Sequence, residues 1–141
     1  MKILPERLQA VAEPAPNFTG PIKLELIAFN DPMSDTQVIK VTFPPGSRTY
    51  WHMHPKGQVL HITEGQGLVQ EKGEKVYRVK PGDTIITEPG VWHWHGACPD
   101  TSVTHYAIYP NSEVVNGSSV NEEEYQTPPA TPLAPVSSSI T

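Results

Sequence analysis

All six histidines of this 141-residue chain fall between positions 52 and 105. His52 and His54 are two residues apart, so an extended segment would project both imidazoles from one face. His93 and His95 repeat that spacing. Gln58 resumes after the Pro55-Lys56-Gly57 turn, at the start of the next predicted strand. Imidazole is the commonest side-chain ligand for first-row divalent metals, and strand-borne histidines that converge inside a barrel leave coordination positions open for substrate or water. Two His-x-His pairs beside proline and glycine turns therefore point to a metal site. His61, three residues after Gln58, has the opposite parity and is expected on the outer face or at an interface. His105 shares its inward parity with Val103, Ala107 and Tyr109. Trp51, Trp92 and Trp94 alternate with the histidines, which places them on the sheet's other side, against a second sheet or another subunit.

The elements that must carry these residues are short strands. Sixteen prolines interrupt the chain, and proline removes an amide donor and clashes inside a helix, so few long helices can form. Strands are expected at Ile22–Phe29, Val38–Phe43, Thr49–Met53, Gln58–Thr63, two arms of a hairpin turning at Lys72-Gly73, Thr84–Thr87, the segment opening at Val91, and Thr101–Tyr109. In Val38–Phe43, Ile39, Val41 and Phe43 share one face and Lys40 and Thr42 the other. This spacing of turns predicts an all-β jelly roll or sandwich in one domain: an extended N-terminal arm over 1–21, a barrel over 22–110 and a polar extension over 111–141. Within the extension Asn121–Tyr125 can form one helical turn, and the last fourteen residues, with four prolines and no charge, read as a mobile or surface-draped tail.

Ten basic against fifteen acidic residues give a net charge of -5 without any basic cluster, which argues against nucleic acid and anionic membranes as partners. The single cysteine, Cys98, rules out an internal disulfide and fits a reducing compartment. The N-terminal apolar run breaks at Pro5, and no stretch is long enough to span a membrane, so a cytoplasmic location is expected.

Gly46, five residues, His52-Met53-His54, three residues, Gln58, six residues and Gly65 resemble the first motif of the cupins, with Gln58 where glutamate is usual. Gly82-Asp83, Pro89-Gly90, two residues and His93 resemble the second, with the proline displaced by one and Ala97 where asparagine is frequent. The segments TYWHMHPKGQVLHITEGQG and PGVWHWHGACPDTSVTHYAI, with the NFTG at 17–20, are similar to the small manganese-dependent hydroxynitrile lyases of that superfamily. The resemblance implies a cupin double-stranded β-helix barrel, with His52, His54, Gln58 and His93 as metal ligands and His95 and His105 near the reacting group.

That ligand set has consequences of its own. Three neutral imidazoles and an amide leave the full charge of a divalent ion uncompensated, making it a stronger Lewis acid and a reluctant reductant. Manganese, with iron(II) as the alternative, suits a lyase acting on a small hydroxylated substrate. In that reading His105 takes the hydroxyl proton, His95 stabilises or protonates the leaving group, and Ile39, Val41 and Tyr109 line the substrate pocket. An iron-dependent dioxygenase, an isomerase or dehydratase of a small metabolite, and a cupin that only binds a ligand are the alternatives. Exposed sheet edges further suggest a homodimer or homotetramer.

Overall fold

The computed structural model describes residues 1–9 and 15–132. Thirteen strands and one helical turn make up this part of the chain. The strands are β1 Leu8–Gln9, β2 Phe18–Thr19, β3 Lys23–Ala28, β4 Thr36–Phe43, β5 Arg48–Thr49, β6 His52–Met53, β7 Gln58–Gly65, β8 Gly67–Glu71, β9 Val76–Val79, β10 Thr84–Thr87, β11 His93–Ala97, β12 Val103–Pro110 and β13 Val115–Asn116; α1 is Glu122–Tyr125. One sheet runs β1-β3-β4-β12-β7-β10; the other runs β13-β6-β11-β5-β2, with β8 joining β11 to β9. All the strand pairs are antiparallel, and the two sheets curl over a shared core as a jelly-roll barrel.

Alternation builds that core. Val41 and Phe43 of β4, Leu60 and Ile62 of β7, and Val103 and Ala107 of β12 are all buried, while Lys40 and Thr42 on the alternate β4 positions are half-exposed. β12 is the axis of its sheet: it pairs with β4 from Val103↔Phe43 to Pro110↔Thr36 and with β7 on its other side. A register shift beside His105 leaves Thr63 unopposed, and the Thr63 hydroxyl donates to Thr104 O. Gly65 has φ +75°, and a Cβ there would drive into Ser102 O, so β7 can end against β12 only through a glycine.

Three expectations change here. The expected Thr49–Met53 strand is split into β5 and β6, because Tyr50 and Trp51 bond elsewhere: Tyr50 N–H donates to Asn17 O and Trp51 N–H to Ser118 O. The N-terminal arm is not separate from the barrel, since β1 pairs with β3, β2 pairs with β5, and Ala15 lies in the core. Trp94 does lie on the outer face of β11, but what covers it is the chain's own C-terminal extension. It packs with Leu68, Val76, Val120 and Tyr125 and is fully buried. The expected helical turn forms as α1, and Asn121 caps it by accepting from Glu124 N–H. Arg48 then clamps the segment: its Nη2 donates to Val120 O and Glu122 Oε1, each at 2.9 Å, and its guanidinium lies 4.0 Å from the Tyr125 ring centre. Further on, Ala130 pairs with Tyr77 at the free edge of β9. The last nine residues, 133–141, lie outside the described residues, as do 10–14 of the arm.

Truncating Tyr125 to alanine should therefore cost about 3 kcal/mol and red-shift the tryptophan emission by uncovering Trp94. Unchanged emission and melting temperature in that variant would mean that the extension does not cover the sheet. No helix among the described residues is long and apolar enough to cross a membrane.

Candidate metal centre

His52 on β6 and His93 on β11 are direct cross-strand partners, which brings their ring centres to 4.3 Å. Each ring is held by the carbonyl two residues before it. His52 Nδ1 lies 2.8 Å from Tyr50 O and His93 Nδ1 2.9 Å from Val91 O. A carbonyl can only accept, so both Nδ1 atoms carry the proton and both Nε2 atoms keep a lone pair, the form in which imidazole binds a metal. His95, two residues along β11, completes a group with His52 and His93 whose ligand atoms all lie within 4.8 Å of one another. These three buried histidines can hold a metal ion.

Two of the other predicted ligands border the same point. Gln58 Oε1, at the start of β7, is 3.2 Å from His93 Nε2. With the proton of His93 committed to Val91, the His93 Nε2 lone pair meets the Gln58 amide, which satisfies it either by turning an N–H to it or by sharing a cation with it through Oε1. His54 stands with its ring centre 5.3 Å from that of His52 and 5.8 Å from that of His93, and its Nδ1 is buried without a protein partner. His95 Nε2 is a second such atom. Orphaned buried nitrogens are costly, and a bound ion or substrate is the usual resolution. The residues present therefore fit a divalent metal.

A cavity of about 220 Å³ opens onto His52, His54, Gln58 and His95. The predicted pocket residues Ile39, Val41 and Tyr109 line it, with Phe43 and Ala107. Tyr109 packs against His54 at 4.8 Å between ring centres. Among the described residues no carboxylate lines the cavity. Sequence reasoning missed its outer wall: Asn17 and Phe18 from the arm, and Val114 and Asn116 beyond β12. The signal for the first was the NFTG segment, since Asn17 takes φ +65°, a region that asparagine tolerates better than most residues.

His105 is the departure. It is 1% exposed and does not line the cavity; it stands behind His95, with its Nε2 3.2 Å from His95 Nδ1 and its ring 5.5 Å from that of Phe43. The hydroxyl proton assigned to it from strand parity cannot reach it except through His95. His61 is exposed as expected, with its Nδ1 2.9 Å from the Thr84 hydroxyl.

Burial keeps the cluster neutral. Desolvation pushes the pKa of His52 down to about 3 and of His54 and His105 to about 4, and lowers those of His93 and His95 as well, with neighbouring imidazoles adding to the effect at His52, His54 and His95. Above the ordinary histidine value of 6.5 the unfolded chain is neutral at these positions too, so nothing is lost. Below it the unfolded chain binds protons that the folded chain cannot, and stability falls with pH until the folded values near 3 to 4 are reached. His52 alone accounts for on the order of 2 kcal/mol by pH 5. Denaturant midpoints of the metal-free protein should drop steeply between pH 7 and pH 5; a flat profile would contradict the buried, neutral cluster.

Residues 39–109 match the cupin domain family. The chain is 43% identical over 115 residues to the (R)-mandelonitrile lyase of Granulicella tundricola, covering 81% of this chain and 85% of that protein. Among solved structures it is similar to a cupin-like protein from Thermotoga maritima, at 40% identity and a TM-score of 0.75 over 77% of this chain and 85% of the other. A polyketide cyclase from Streptomyces resistomycificus shares the fold at 17% identity, with a TM-score of 0.69 over 89% of this chain and 91% of the cyclase.

Proposed function

The chain belongs to the cupin family, and on that footing we propose that it is a manganese-dependent lyase that breaks or forms the carbon–carbon bond of a small cyanohydrin. The observation that carries this reading is the cluster of neutral imidazoles, with no carboxylate among the described residues, at a small, partly apolar cavity in a chain 43% identical to a relative named for cyanohydrin cleavage. His52, His54, Gln58 and His93 hold the ion. Because none of them is charged, the ion would supply strong Lewis acidity to a hydroxyl oxygen while resisting oxidation.

The protein's own groups do the rest. Ile39, Val41 and Phe18 offer an apolar wall for an aryl or alkyl substituent, and Tyr109 closes it beside His54. His95 moves the proton at Nε2, since that nitrogen is buried, unpartnered and carried by a cavity-lining ring. His105 acts through His95, fixing the orientation of its ring from Nδ1. Among the described residues the cavity presents no carboxylate, so a carbinol losing its proton meets no competing negative charge from them.

The manganese-loaded protein should release benzaldehyde and hydrogen cyanide from mandelonitrile, followed by the ultraviolet absorbance of the aldehyde. No release, together with oxygen consumption by iron-loaded protein given an aromatic diol or diketone, would replace the lyase with a dioxygenase. For the assembly we propose a dimer through the edges of the six-stranded sheet, where Leu8 of β1 is 73% and Ile86 of β10 is 71% exposed. Sedimentation of a monomer at micromolar concentration would reject it.

A further inference from the structure

A second cleft, of about 450 Å³, lies outside the barrel, with Trp51 and Trp92 on its walls. Both indoles precede a histidine of the metal cluster, and strand parity turns them to the outer side. Trp94 is sealed under the C-terminal extension, whereas Trp51 and Trp92 are only half-buried. Gly117 also lines the cleft and packs closely on it: a Cβ there would come within 3.0 Å of Trp92 Cζ3 and 3.3 Å of Trp51 O. Lys72, from the β8–β9 turn, and Glu124, from α1, stand on the rim with Ser118. Among the described residues neither Lys72 nor Glu124 forms an ion pair. Gln70 is anchored in the wall, its Oε1 accepting from Trp94 Nε1–H and its Nε2 donating to Glu74 O.

We propose that this cleft is a binding site for a neutral, polyhydroxylated ring, a sugar in the pyranose form. Indole faces pack against the carbon-bound hydrogens of such a ring while its hydroxyls need donors and acceptors at the edge. The rim supplies one cationic donor, one anionic acceptor and one hydroxyl that serves as either. Opposite charges on one small rim disfavour a ligand carrying net charge of either sign, and a purely apolar ligand would leave both charges facing it unused. The site is separate from the cavity over the histidines, sharing no residue with it, so it does not depend on the lyase reading.

The test is a titration of tryptophan emission in the metal-loaded protein with glucose, galactose and mannose. At least one should give a saturable change with a Kd on the order of 1 mM. Trp92→Ala should abolish it, and Lys72→Met and Glu124→Gln should each weaken it about tenfold, with metal content unchanged in all three. Should Trp92→Ala fail to fold, Gly117→Val blocks the cleft from an exposed loop and should abolish binding in its place. No saturable change with any of the three sugars at about 100 mM would overturn the proposal. So would an identical change in Trp92→Ala, or self-association of the wild type that Trp92→Ala removes, which would give this face to a second copy of the chain.

Discussion

Replacing His93 by alanine should strip the protein of its metal and lower cyanohydrin turnover by about a thousandfold or more. His93 is the residue on which the centre converges. Its ring is 4.3 Å from that of His52, its Nε2 faces Gln58 Oε1 at 3.2 Å, and its Nδ1 is anchored on Val91 O. The substitution therefore removes the lone pair at the point where His52 and Gln58 converge. The variant should still fold, because β11 is held by its pairing with β8 from His93↔Glu71 to Ala97↔Gly67, which is a backbone matter. Emission from the buried Trp94 reports that directly. A folded His93→Ala protein that keeps both metal and turnover would contradict the assignment.

The second large effect separates holding the ion from moving the proton. His95→Ala should retain metal yet lose turnover by about a hundredfold to a thousandfold, the range typical for removing a general acid or base. His54→Ala should lose the metal. The opposite pattern, with metal lost on removing His95 and kept on removing His54, would give the ion to the trio of His52, His93 and His95 whose nitrogens lie within 4.8 Å. His105→Phe tests the positioning role: metal should stay, and turnover should fall by only about tenfold, since Phe keeps the packing on Phe43 but removes the contact to His95 Nδ1. A loss as large as that of His95→Ala would place His105 in the reaction itself.

Much of this was legible in the residues because the relevant patterns are local. Period-two alternation put Ile39 and Val41 on the wall of the cavity, and His-x-His spacing put pairs of imidazoles on one face. Parity alone could not say how far along the barrel each inward residue sits. His105 faces inward as predicted but lies a layer below the cavity, under His95, next to the register shift that leaves Thr63 unopposed. Nor could parity say what covers an outward face. Trp94 lies where alternation places it, but the cover comes from Val120 and Tyr125, held by Arg48 more than seventy residues earlier in the chain. The arm shows the same limit: Leu8–Gln9 and Phe18–Thr19 are two-residue strands, too short for any alternation to register, and only their partners β3 and β5 define them.

The central claim is that these histidines hold a metal. Elemental analysis of the untagged protein, alongside His52→Ala and His93→Ala, tests it most directly. The account predicts about one manganese ion per wild-type chain after loading and almost none in either variant. Wild-type protein that holds no metal after incubation with manganese and with iron, or variants that hold as much as the wild type, would contradict it.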